Sequence, residues 1–130
     1  MPRDATASGD AGLIGPRLTA VVRWRGDTAV VTVAGELDRD TQEPLRAALT
    51  EALDRRPERI VVDCGRLAFC DSTGLNLLLT TRLDVLEAGS RLELAALRPP
   101  VARVFDVTGV VAVFTVYDEL PAELAGEEHP

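Results

Sequence analysis

Lysine is absent from this 130-residue chain, histidine occurs once, as His129, and cysteine twice, as Cys64 and Cys70. A serine hydrolase built on Ser72 with Asp71 beside it would therefore have to draw its base from the penultimate residue. No lysine could replace that histidine as general base. The Gly-x-Ser-x-Gly pattern of a nucleophile elbow is missing as well, so no enzyme is expected. Cys64 and Cys70 stand too far apart for a CxxC redox pair and are too few for a metal cluster. Their neighbours Val61, Val62, Leu67 and Phe69 are apolar, which reads as two reduced thiols packed in a core. No run approaches the ~18 consecutive apolar residues of a membrane span. Met1 to Thr6 lacks the apolar stretch of a signal peptide, and a soluble cytoplasmic protein is expected. All 14 basic residues are arginine, and the 21 acidic residues outnumber them. The formal net charge is −7 and the pI about 4.7, so the average surface repels a phosphate backbone. Protein partners are expected, with no direct nucleic-acid or membrane contact.

What is present suits one globular domain, because 46% of the residues are hydrophobic and the length leaves no room for a second core. Residues 1–16 are small and polar without periodicity and read as a flexible leader. The domain is expected over 17–125, and 126–130 as a flexible acidic tail. Leu18 to Trp24 and Thr28 to Val33 are rich in β-branched residues and flank Arg25-Gly26-Asp27, which predicts an antiparallel hairpin. Trp24 is expected to pack on an edge strand. Leu45, Ala48, Leu49, Ala52 and Leu53 then fall at helical spacing, with Thr41 as the cap and Pro44 in the first turn. Arg59 to Asp63 reads as a short buried strand. A second helix is drawn through Leu75, Leu78, Leu79, Leu83 and Leu86 and stops at Gly89, and Arg91 to Ala95 returns to the sheet. Pro99-Pro100 opens a third helix carrying Val101, Val104 and Phe105, closed by Gly109. Val110 to Val116 is expected as a last strand and a short helix after Asp118. The fold class is α/β, with a mixed, mostly parallel sheet covered by amphipathic helices.

Chemistry concentrates in Phe69-Cys70-Asp71-Ser72-Thr73-Gly74-Leu75, at the start of the leucine-rich helix. Asp71 can cap that helix, which places Ser72 at its first position beside unpaired backbone N–H groups. Asp, Ser, Thr and Gly favour helix starts for structural reasons alone. The same dipole and amides would nevertheless stabilise a phosphate on Ser72 without refolding.

With Gly35-Glu36-Leu37-Asp38 after the second strand, the Asp71-Ser72-Thr73-Gly74-Leu75 turn and the late Phe105-Asp106-Val107-Thr108-Gly109 helix end, Leu18 to Leu124 resembles the STAS domain of bacterial anti-sigma-factor antagonists. Asn76 and Cys70 depart slightly from the family's usual choices. The resemblance implies that Ser72 is phosphorylated by a partner that is both anti-sigma factor and ATPase-type serine kinase, and dephosphorylated by a PP2C-type phosphatase. It implies that the unphosphorylated form binds the anti-sigma factor and releases a sigma factor for transcription. Glu36, Asp38, Asp71, Thr73 and Gly74 become the expected partner-binding residues, although Glu36 and Asp38 also suit a plain solvated turn. No cofactor or metal is implied. A STAS scaffold in a stress-sensing or transporter complex is the alternative use of the same fold.

Overall fold

The computed structural model describes residues 15–126. The leader and the acidic tail expected from the sequence therefore lie almost wholly outside the described residues. β1 (Leu18–Arg25) and β2 (Thr28–Leu37) form the antiparallel hairpin, but β2 runs on to Leu37 instead of stopping at Val33. It does so through Gly35, whose φ is +110°. A Cβ there would collide with the carbonyl oxygen of Arg17, which itself accepts the Glu36 N–H at 2.9 Å. Trp24 packs against the core from edge strand β1, with the Arg55 guanidinium 4.4 Å from its ring centroid.

Helix α1 (Glu43–Asp54) buries Leu45, Ala48, Leu49 and Ala52 as its spacing predicts, and Pro44 lies in its first turn. Thr41 does not cap it. Gln42 occupies the cap position without a side-chain cap bond, while the Thr41 hydroxyl accepts from the Asp38 N–H at 2.8 Å and donates to the Glu36 carbonyl at 2.7 Å. That hydroxyl is consumed by the turn leaving β2.

Strand β3 (Arg59–Cys70) is far longer than the five residues expected. It pairs in parallel with β2 along its whole length, through two register shifts that each insert one extra residue into β3. Such bulges bend a strand and re-aim its later residues. Here they bring Cys70 level with Leu37.

α2 (Ser72–Glu87) leads to β4 (Leu92–Ala95), and α3 (Pro99–Thr108) ends at Gly109. The inward face of α2 differs from the one expected: Leu75, Leu77, Leu78 and Val85 are buried, whereas Leu83 and Leu86 are 61% and 46% exposed. The expected last strand is mostly a 3-10 turn over Val110–Val113, leaving a two-residue β5 (Val116–Tyr117). The turn carries Phe114 inward, where its ring meets Phe105 edge-on at 6.1 Å between centroids. A short 3-10 helix does follow Asp118, at Ala122–Leu124.

Strand order in the sheet is β1-β2-β3-β4-β5, with every pair after the hairpin parallel. Because the order never reverses, successive right-handed crossovers lay the three α-helices on one face. Leu45 and Leu49 of α1, Leu75 and Leu78 of α2 and Val101 and Phe105 of α3 accordingly share one core with Val31, Val33, Ile60, Val62 and Leu94. The opposite face carries a smaller cluster, Val30, Val61 and Ala95, closed by Leu124, Leu120 and Tyr117. The C-terminal segment is held there by Arg23 and Arg25, which donate to the Gly126 carbonyl at 2.8 and 2.6 Å. Beneath it one oxygen of the buried Glu93 accepts from Arg59 at 3.0 Å and from the Tyr117 hydroxyl at 3.1 Å, and the other accepts from Arg91 at 3.4 Å, so both oxygens have partners where the carboxylate leaves water.

Gly35 is the position where a single methyl should matter most to the hairpin. Gly35→Ala is expected to destabilise the fold by about 2 kcal/mol or more, from backbone strain and from separation of Arg17 from Glu36. Chemical denaturation checks this, and a variant as stable as the parent would show that the β1 entry can move freely.

Candidate functional site

Three chain segments meet at the carboxyl ends of β2 and β3. Leu37 closes β2, Cys70 closes β3 opposite it, and the Asp71 N–H donates to the Leu37 carbonyl at 3.2 Å. Asp71 adopts an extended conformation, φ −98° and ψ −177°, and its Oδ1 accepts the Gly74 N–H at 2.9 Å. The helix then propagates from the Leu75 N–H to the Asp71 carbonyl at 3.0 Å. This is the cap that the residue types predict, and it makes Ser72 the first residue of α2, exposed to solvent. Thr73 is half-buried behind it.

Gly74 faces inward. A Cβ on it would lie 2.6 Å from Cγ of Leu37 and 3.2 Å from Sγ of Cys70, so the missing side chain is what lets α2 start against β2. Any part Gly74 has in partner contact is exerted through that placement. Cys64 and Cys70 are both buried free thiols. Burial, and secondarily the neighbouring Asp71 carboxylate, pushes Cys70 up to about 12. Burial likewise raises Cys64 well above the ordinary thiol range. Neither is a thiolate near neutrality, which fits packing and not nucleophilic chemistry.

Glu36 and Asp38 stand at the same end of the sheet, Glu36 exposed and Asp38 half-buried. Glu36 pairs with Phe69 across the β2–β3 ladder, and Asp38 directly follows the Leu37–Cys70 pair that precedes Asp71 and Ser72. All the site residues expected from the sequence are thus gathered at one end of the sheet. Asp38 is tied into its own turn, with Oδ1 accepting the Asp40 N–H at 2.8 Å. Partial withdrawal from water opposes its charge, but the Asp40 N–H, the Arg17 guanidinium and Thr41 outweigh that effect and hold the carboxyl below the usual range.

Two residues of this site give no motif in the sequence. Thr41 stitches the Glu36–Asp38 turn, and Arg17 places one guanidinium nitrogen 3.2 Å from Glu36 Oε1 and 2.5 Å from Asp38 Oδ2. Thr41 could have been found as a turn-forming hydroxyl near an Asp. Arg17 offers no such local signal, being 21 residues from Asp38.

Comparison with known proteins agrees with this fold. A family model described as "Mlab, STAS domain" matches residues 20–115. The chain is 33% identical over 90 residues to the anti-sigma F factor antagonist of Paenibacillus polymyxa, covering 68% of this chain and 77% of that one. It is similar to the crystal structure of an anti-sigma factor antagonist from Mycobacterium paratuberculosis, with a TM-score of 0.75, 27% identity, and 86% and 96% of the two chains covered. The anti-sigma factor antagonist SpoIIAA in its unphosphorylated form gives a TM-score of 0.64 at 26% identity, over 75% of this chain and 87% of that one. Bacillus SpoIIAA in its phosphorylated form gives 0.58, also at 26% identity, over 75% and 90%.

The helix start itself can be tested without a partner. Asp71→Ala should lower stability by about 1 kcal/mol through loss of the cap. Gly74→Ala should cost more, because Leu37 lies 2.6 Å from the added carbon. Thermal and urea melts rank the two, and the opposite order would mean that the cap, not the close approach, anchors α2.

Proposed function

The chain belongs to the STAS-domain family of anti-sigma factor antagonists, and on that premise we propose that its unphosphorylated form binds an anti-sigma factor and is switched off by phosphorylation of Ser72. The observation that carries this reading is the position of Ser72, exposed at the first turn of α2 and next to the acidic end of β2. The partner would be an anti-sigma factor of the ATPase and serine-kinase type, and a PP2C-type phosphatase would reverse the modification. The protein acts by binding and catalyses nothing itself. Relatives named as antagonists support the binding role, and a relative solved in both phosphorylated and unphosphorylated forms supports the switch.

The mechanism derives from where the charge arrives. A phosphoserine adds about −1.5 to −2 charges. At the first position of α2 that charge meets the positive end of the helix dipole and the N–H groups of Ser72 and Thr73, which have no intrahelical acceptor. The fold tolerates it. An interface shaped around a neutral hydroxyl does not, since closing over an unpaired dianion costs on the order of several kcal/mol in desolvation. Phosphate therefore acts at the partner surface, with Asp38 and Glu36 as the adjacent recognition groups and Asp71 and Thr73 as the frame that presents Ser72.

Incubation with the cognate kinase and ATP should place the phosphate on Ser72 by mass spectrometry, with Thr73 the next site to inspect. The phosphoprotein should lose affinity for the anti-sigma partner while melting within a few degrees of the parent, and Ser72→Ala should keep binding. A phosphoprotein that binds as well as the parent, or that melts far earlier, overturns the mechanism.

Asp38→Asn is the cleaner probe of the acidic group, because it removes the charge and keeps an oxygen for the Asp40 N–H. It should weaken partner binding with an unchanged circular-dichroism spectrum. Unchanged affinity would remove Asp38 from the interface.

A further inference from the structure

We propose that Arg17 is a built-in competitor of the partner: its guanidinium occupies the outward oxygen of Asp38 in the free protein, and the partner's own cationic side chain must displace it to dock. This rests on the antagonist reading of the site and adds a residue that neither the sequence pattern nor the comparisons assign. The two oxygens of Asp38 are used differently. Oδ1 is turned into the loop, where the Asp40 N–H holds it at 2.8 Å and the Thr41 hydroxyl lies 3.2 Å away. The loop thus orients the carboxylate without help from Arg17. Oδ2 is the oxygen left for a docking group, and Arg17 sits on it at 2.5 Å. The same nitrogen reaches Glu36 Oε1 at 3.2 Å, so Glu36 and Asp38 are engaged by one intrachain cation.

Arg17 is not there by chance of a loose chain. Its carbonyl oxygen accepts the Glu36 N–H at 2.9 Å and fills the space that any Cβ at Gly35 would take. The backbone is pinned while the side chain remains half in solvent, at 52% exposure. An anchored, exposed arginine is a weak ligand at high local concentration. That is suited to exchange: it screens the acidic turn from stray cationic surfaces and yields to a partner that brings a guanidinium or ammonium together with further contacts. Specificity gains from such a competitor, because every encounter must first break the internal pair.

The sign of the effect distinguishes competition from support. If Arg17 positioned Asp38, removing it would weaken docking; if it competes, removing it tightens docking. Affinity for the anti-sigma partner is measured by calorimetry for the unphosphorylated parent, Arg17→Ala, Asp38→Asn and the double variant. Arg17→Ala is expected to bind about twofold to fivefold more tightly, the range set by an exposed ion pair, and the gain is expected to vanish in the Asp38→Asn background. Equal or weaker binding by a folded Arg17→Ala overturns the proposal.

A partner-free measurement runs alongside. Carbon-detected NMR should show the Asp38 carboxyl titrating at higher pH in Arg17→Ala than in the parent, and an unchanged midpoint overturns the internal pair. Absence of binding by parent and variants, with the midpoint still raised, would sink the antagonist reading and the competition with it while leaving the ion pair standing.

Discussion

The contact between Gly74 and Leu37 is the constraint on which the rest of the site depends. A helix can begin beside the end of a neighbouring strand only if its first turn presents no bulk on that side. With Leu37 and the Cys70 sulfur pressed into the space of a missing Cβ, α2 starts flush against β2. The Asp71 N–H then finds the Leu37 carbonyl, its carboxylate finds the Gly74 N–H, and Ser72 is left as the first residue that points away. One close approach thus sets the cap, the exposure of the serine and its proximity to the acidic turn.

How much of this is legible in the sequence depends on how local each cause is. The cap at Asp71 and the position of Ser72 are legible because cap chemistry depends on residues within four positions. Helices α1 and α3 are legible because their apolar spacing and their prolines act within a turn or two. The second half of β3 is not. Its buried residues after Val62 are Cys64, Leu67 and Cys70, so the strand's two-residue period is broken by an extra residue at each bulge and alternation disappears from view. In α2 the failure has another origin: leucines at 75, 77, 78, 79, 83 and 86 surround the helix, and only tertiary packing chooses which of them turn inward. Arg17 belongs to a third class, a long-range pairing across the hairpin that no short window contains.

Electrostatics divides the molecule in the same way. At the carboxyl ends of β2 and β3 the Arg17, Glu36 and Asp38 cluster keeps the guanidinium and the Glu36 carboxylate about half in solvent, with Asp38 more withdrawn. On the sheet face opposite the helices, Arg59 and Glu93 are mostly withdrawn from water and share Tyr117, an arrangement that fixes structure. Where a charge pair stays partly wet, desolvation sets little barrier to its separation, whereas the buried pair is locked by its hydrogen bonds.

The C-terminal segment illustrates how a fold can fasten a chain without reading its letters. Arg23 and Arg25 grip it through the main-chain carbonyls of Ala125 and Gly126, acceptors that every amino acid possesses. Replacing the Ala125 side chain leaves the grip chemically the same, whereas any residue put at Gly126 would have to adopt its left-handed backbone, φ +79°, and inserting or deleting a residue after Leu124 shifts the carbonyls out of the arginines' reach. The fastening is therefore a ruler: it reads backbone path and distance before side-chain identity.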